Sequence, residues 1–201
     1  MRYVLEALGR RLRDGSLGPI VGVPTSERTA QLSTELGIPL ATLDEQPRLD
    51  IAIDGADEID PALDLIKGLG GALLREKIVA AAASEFLVVA DSTKLVPALG
   101  TQAPLPIEII PFARATVVRR LADLPGTFVL RVSDAGGPFV TDEGNWILDY
   151  HSGAIKDPAA LENFLNQIPG IVEHGLFLGM ARRAVVAGPD GVRIIERSST
   201  S

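Results

Sequence analysis

The chain has 201 residues, 46% of them hydrophobic and 22% charged, with a net charge of −7 and no cysteine. That composition can bury the core of one domain, or of one domain with a smaller one attached, and is too apolar for disorder. Scattered acidic residues without a Lys/Arg run argue against a nucleic-acid partner, and the lack of thiols excludes disulfides, a cysteine nucleophile and zinc-finger spacing.

Arg2 to Arg13 reads as a helix. Val4, Leu5, Leu8 and Leu12 share one face, and Asp14-Gly15 stops it, although no capping Ser, Thr, Asp or Asn precedes it. Pro19 to Val23 has the apolar character of a buried parallel strand. Thr25 or Ser26 is placed to cap the next helix, which Gly37 ends. Leu40 to Leu43 reads as another short strand. Leu49 to Ile53 is a strand that delivers Asp54-Gly55-Ala56-Asp57 at its carboxyl end. A glycine-rich turn, Lys67 to Gly71, opens a helix from Ala72 to about Ala83. The apolar strand Phe86 to Ala90 follows, leading into Asp91-Ser92-Thr93-Lys94.

Alternating strands and helices predict an α/β fold with a Rossmann-like parallel sheet, in which ligands bind beyond the carboxyl ends of the strands. Near Ala103 the pattern changes, and Pro104, Pro106 and Pro111 mark a domain crossing. Beyond it come a helix (Ala113 to Leu124), a strand (Thr127 to Val132), a hairpin around Asp142 to Asn145 and a helix (Pro158 to Ile168). These predict a second, smaller α+β domain. From Gly175 the chain returns, with Ala184 to Val186 and Val192 to Ile195 forming a last hairpin. The expected division is 1–103 with 177–201 for the first domain and 104–176 for the second.

Three loops carry candidate chemistry. Asp54, Asp57 and Glu58 put three carboxylates within five positions directly after an apolar strand. A solvated acidic turn is the commoner fate of such a cluster, but the strand end moves it towards function. Lys67-Gly68-Leu69-Gly70-Gly71 precedes a helix, where backbone N–H groups favour an anion, yet it has neither the Walker A nor the Rossmann spacing. Glu76 lies one turn into that helix, beside Arg75 and Lys77. Asp91 to Lys94 is either a plain helix cap or a way of placing an ammonium at the ligand edge. Carboxylates and lysines without a thiol fit acid–base chemistry on a small anionic, polyhydroxylated substrate. With only His151 and His174, a multi-histidine metal site is poorly supplied.

Taken together and in order, Asp54 to Ile59, Lys67 to Lys77 and Ala90 to Lys94 resemble the ribose-5-phosphate isomerase A family. Further matches are Pro104-Leu105-Pro106-Ile107-Glu108, Thr141 to Asn145, Ile168 to Val172 and Gly175-Leu176-Phe177. The resemblance implies an aldose–ketose isomerase of the non-oxidative pentose phosphate pathway that converts ribose 5-phosphate and ribulose 5-phosphate through an enediol, with no cofactor and no metal. It implies Glu76 as the base, Lys67 as stabiliser of the enediolate, and Asp54 and Asp57 as carboxylates that hold hydroxyls and assist ring opening. The implied substrate contacts are Asp54, Gly55, Ala56, Asp57, Lys67, Gly68, Leu69, Gly70 and Lys94. A sugar phosphate as ligand and a homodimer or homotetramer are expected. The longest apolar runs, such as Ile78 to Ala83, are far too short for a bilayer span, so a cytoplasmic protein without membrane contact is expected.

Two departures from the family pattern stand out. The family begins with a helix, then a strand ending in a phosphate-gripping Gly-Ser/Thr loop, whereas Met1 here already enters the helix after that loop. The reading frame upstream of Met1 is expected to continue into that segment, and without it a sheet edge or gap is expected. Leu69 stands where the family has glycine, and its Cβ would disfavour a positive φ. These departures keep a second possibility open, a non-catalytic sugar-phosphate-binding or assembly protein on the same scaffold.

Overall fold

A computed structural model describes residues 1–197. Residues 198–201, expected to complete the first domain, lie outside the described residues.

Helix α1 (Arg2–Arg13) has the predicted bounds, and no side chain caps its start. It lies against helix α2 (Glu27–Glu35) closely enough that a Cβ on Gly9 would stand 3.0 Å from the Leu36 carbonyl oxygen. Ser26 caps α2 by accepting from the Thr29 N–H, and Gly37 follows with φ +74°. The expected strands at Pro19 to Val23 and Leu40 to Leu43 do not form. Their contact is a single parallel bridge, Gly22 with Leu40, made by two backbone hydrogen bonds of 2.8 and 3.0 Å. Apolar character fixed which way these segments face, but a ladder needs a continuous run of paired neighbours.

Strand β1 (Leu49–Asp54) leads through two short strands, β2 (Glu58–Ile59) and β3 (Leu65–Ile66), to the glycine turn and helix α3 (Leu73–Ala82). The helix passes directly into strand β4 (Ala83–Asp91), which starts earlier than its apolar stretch predicts. Strand β5 (Leu105–Ile109), helix α4 (Arg114–Leu121), strand β6 (Thr127–Leu130), strand β7 (Trp146–His151) and helix α5 (Pro158–Asn166) come next. Strands β8 (Ile171–His174), β9 (Leu176–Phe177), β10 (Arg183–Gly188) and β11 (Gly191–Glu196) complete the order.

The main sheet runs β1-β4-β10-β11, parallel across its first three strands, with the predicted hairpin supplying an antiparallel edge. A three-stranded antiparallel sheet, β2-β3-β9, and a four-stranded antiparallel sheet, β6-β7-β5-β8, accompany it. The fold is α/β with a second α+β part, as the element order predicts. One buried cluster contains Phe86, Val88, Ala184 and Val186, and another contains Leu105, Ile107, Ile109, Leu121 and Leu148. Burying each of the larger side chains contributes roughly 1.5–3 kcal/mol, so these clusters carry much of the stability.

The proline-rich stretch after Ala103 is not an irregular crossing. It contains β5, a fully buried strand at the interior of its sheet. Pro106 fits there because its C=O faces the end of β8 and accepts from the Gly175 N–H at 2.8 Å. A Cβ on Gly175 would lie 2.8 Å from Pro106 Cδ, so a glycine opposite the ring is what lets the proline in. Strand β1 is at the edge of the main sheet, with Ile51 44% exposed. A cavity of about 560 Å³ separates it from the extended segment around Gly22, lined by side chains including Leu8, Ile20, Ile38 and Phe86. No helix among the described residues is long and apolar enough to cross a membrane.

Candidate active site

The parallel pairing of β1 with β4 puts Asp54 opposite Val88, so the loops that follow Asp54 and Asp91 leave one edge of the sheet. Residue 67 reaches that edge from β3. Its backbone N–H is held by the Gly175 carbonyl at 2.9 Å, and its side chain turns inward until the residue is only 3% exposed. Lys67 Nζ donates to Asp54 Oδ2 at 2.9 Å and to the Gly55 carbonyl at 2.5 Å, and lies 3.2 Å from Glu76 Oε2. That last contact is an ion pair without a well-aligned hydrogen bond, and Glu76 Oε2 has no hydrogen-bonded partner among the described residues. Glu76 faces the site from the first turn of α3, directly after the glycine turn.

Burial works against the Lys67 charge, but Asp54 and Glu76 outweigh it and hold its pKa above the ordinary lysine value. Burial pushes Glu76 above the ordinary carboxylate range; Lys67 opposes this, while Asp54 and Asp57 add to it. A cation fixed between two carboxylates, one of them raised, is the arrangement expected of a base beside an oxyanion stabiliser.

The three acidic residues of the first loop separate into different environments. Asp54 binds Lys67. Asp57 Oδ2 accepts from the Leu69 N–H at 2.9 Å. Glu58 is fully buried and accepts from the backbone N–H groups of Gly100, Gln102 and Ala103, which makes it a structural anchor for that loop. Ala56 packs against the core below the site. The turn Gly68–Gly71 is closed by the Gly71 N–H donating to the Gly68 carbonyl at 3.0 Å, with φ of +105° at Gly68 and +86° at Gly71. Leu69 has no positive φ and its side chain is 42% exposed, so the strain expected of a side chain there does not arise. The one non-glycine residue with positive φ among the described residues is Leu63, at 59°.

Asp54, Asp57, Lys67, Gly68, Leu69, Gly70 and Glu76 therefore come together. Among the described residues Lys94 makes no ion pair with them. It ends a short turn, Ser92 to Lys94, that Asp91 caps through the Thr93 N–H at 2.9 Å. A cleft of about 770 Å³ opens over the group, lined by Thr25, Ser26, Asp54, Gly70, Gly71, Glu76, Phe139 and Asp142 among others, and this volume suits a small polar ligand.

Several residues of the site were not legible from local sequence. Arg131 donates to the Gly68 and Leu69 carbonyls at 2.9 and 3.0 Å. The ring of Phe139 covers Gly71 so closely that a Cβ there would lie 2.4 Å away. Lys77, beside Glu76, points away from the cleft and donates to Glu173 Oε1 at 2.6 Å and to the His174 carbonyl at 2.7 Å. Arg75 ties α2 to the hairpin through Glu27 at 2.9 Å and Glu143 at 2.5 Å, on a surface where such pairs contribute little. These partners lie far away in sequence, and only the Arg or Lys itself could have hinted at them.

The fold and site define an α/β protein with paired carboxylates and a buried lysine beside a glycine turn, at the carboxyl end of parallel strands. The family model of ribose 5-phosphate isomerase A (phosphoriboisomerase A) matches residues 21–191, and the chain belongs to this family. It is 60% identical over 194 residues to a ribose-5-phosphate isomerase A of Roseiflexus castenholzii, covering 96% of this chain and 83% of that one. It is 54% identical over 202 residues to that of Nitrobacter hamburgensis, covering 98% and 86%. Among solved structures, a D-ribose-5-phosphate isomerase in complex with phospho-erythronic acid superposes with a TM-score of 0.95 at 42% identity, covering 98% of this chain and 86% of that one. The ribose 5-phosphate isomerase of Plasmodium falciparum superposes with a TM-score of 0.94 at 37% identity, with the same coverage.

Proposed function

We propose that the chain is an aldose–ketose isomerase that interconverts ribose 5-phosphate and ribulose 5-phosphate through an enediol. The observation that carries the mechanism is the buried Lys67 ammonium held between Asp54 and Glu76. Glu76 removes the proton from C2 of the open-chain aldose; its raised pKa makes it a stronger base than a solvated carboxylate. As the C2–H bond breaks, negative charge develops on O1, and Lys67 stabilises it in a site largely closed to water. Glu76 then returns the proton to C1, while the hydroxyl proton passes from O2 to O1, so no atom is gained or lost.

Asp54 and Asp57 accept from the sugar hydroxyls, and the Gly68–Gly70 backbone surrounds the substrate. Gly55 and Ala56 line it from the first loop, and Lys94 adds a further contact. The division into 1–103 with 177–201 and 104–176 belongs to the same proposal, supported by the separate sheets and buried clusters of the two parts. So does a homodimer or homotetramer, supported by exposed apolar side chains such as Phe112 at 99%, and so does a cytoplasmic location. The test is turnover of ribose 5-phosphate by the purified chain, followed as ribulose 5-phosphate formed. Folded protein that produces none contradicts the proposal.

A further inference from the structure

One side chain, Arg131, grips the carbonyl side of the glycine turn. Leu69 is exposed, a Cβ on Gly70 would meet nothing within 4 Å, and the Leu69 carbonyl has one hydrogen-bonded partner among the described residues, Arg131. Arg131 comes from the far sheet, just past β6, and its Nη1 reaches both the Gly68 and the Leu69 carbonyls. Its Nε donates to Asp149 Oδ2 at 2.9 Å, and its Nη2 pairs with Asp149 Oδ1. Its guanidinium carbon lies 5.8 Å from the Phe139 ring centre, and Phe139 is the residue seated on Gly71. The ion pair is largely buried, at 12% and 16% side-chain exposure, so the guanidinium is fixed rather than mobile.

Peptide planes make this contact matter to the site. No peptide bond among the described residues is cis. In a trans peptide the C=O and the following N–H point in opposite directions. Two carbonyls that converge on one Arg131 nitrogen therefore send the N–H groups of Leu69 and Gly70 to the other side of the turn. The Leu69 N–H meets Asp57 Oδ2 at 2.9 Å. Gly70 lines the cleft, and its N–H has no acceptor in the protein among the described residues.

We infer that Arg131 is a positioning residue: by gripping the Gly68 and Leu69 carbonyls it fixes the Asp57 carboxylate and aims the Gly70 N–H at the substrate. It touches neither Glu76 nor Lys67, so it governs how the sugar is held rather than the proton transfer. The inference rests on the isomerase reading above. A lysine cannot replace it, because one ammonium cannot fork onto Asp149 and still reach two carbonyls.

The test compares Arg131→Lys, Asp57→Asn and the double variant. Arg131→Lys is expected to raise KM about ten-fold with a much smaller change in kcat, and to leave the pH profile of kcat in place. In the Asp57→Asn background the same change is expected to cost less than about three-fold, because both act on one contact. An unchanged KM in folded Arg131→Lys, or losses that multiply independently, overturns the inference. If Arg131→Lys is unfolded at the assay temperature, Asp149→Asn takes its place; the same KM rise supports the inference and an unchanged KM overturns it. Wild-type protein without turnover would overturn the isomerase reading instead. The inference is then decided by calorimetric binding of phospho-erythronic acid to wild type and Arg131→Lys, where equal affinity, or no binding by wild type, overturns it.

Discussion

Replacing Lys67 by Met isolates the charge at the centre of the site. Methionine keeps the aliphatic stem, including contact near the Phe177 ring that the Nζ now approaches to 5.5 Å, but leaves Asp54 and Glu76 facing each other without a cation. Removing one partner of a buried ion pair costs about 3–5 kcal/mol. Here both remaining carboxylates keep some access to water, at 17% and 16% exposure, so the lower end applies at pH 8. Burial already holds the folded-state pKa of Glu76 above its unfolded value, and loss of the opposing Lys67 charge raises it further. The folded state then holds more protons between those values, and the variant recovers stability as the pH falls through that window. Urea unfolding followed by circular dichroism should give a loss of about 3 kcal/mol at pH 8 and a clearly smaller one at pH 5. A loss below about 1 kcal/mol at pH 8, or one that grows on acidification, would refute the buried-triad picture.

The same linkage, with its own sign, applies to His174. Burial first, and the Lys77 ammonium second, depress its pKa from 6.5 to about 4, against a smaller opposing effect of Glu173. Its folded pKa lies below the unfolded one, so the unfolded state binds more protons between pH 4 and 6.5. Stability is full above that window and falls by about 3 kcal/mol across it as pH drops, a slope that His174→Asn should flatten in urea titrations. Gly71→Ala must hold a Cβ at φ +86° and 2.4 Å from the Phe139 ring. It should lose about 2 kcal/mol or more and most of its turnover, whereas Gly136→Ala, with open space around it and a positive φ of 84°, should lose stability through backbone strain alone and keep its activity. Thermal melts and steady-state assays on the two variants separate these outcomes.

What the sequence made legible were features with a local cause. The α1 face, a cap at Thr25 or Ser26, the Gly37 stop and the last hairpin all write their structure in neighbouring residues. Position alone, at a strand end or a helix start, made Asp54, Lys67 and Glu76 candidates, and their roles came only from the family resemblance. What stayed hidden depended on chain distant in sequence. Pro106 reads as a break unless Gly175 is known to lie across from it, and Glu58 reads as one more surface carboxylate until three backbone N–H groups close over it. Arg131 meets the glycine turn across more than sixty residues, a distance no spacing rule covers. The gap beside β1 also shows why an apolar run is not yet a strand: segment 19–23 has the composition but only one bridging partner.

The role of Glu76 is tested most directly by proton exchange. Wild type and Glu76→Gln would be incubated with ribose 5-phosphate in deuterated water, and both product formation and deuterium at the product's C1 measured by NMR. A carboxylate base that exchanges with solvent during the enediol step predicts ribulose 5-phosphate carrying deuterium at C1 from wild type, and neither turnover nor label from the folded variant. Turnover with C1 labelling that persists in Glu76→Gln would contradict the assignment and move the base elsewhere in the cleft.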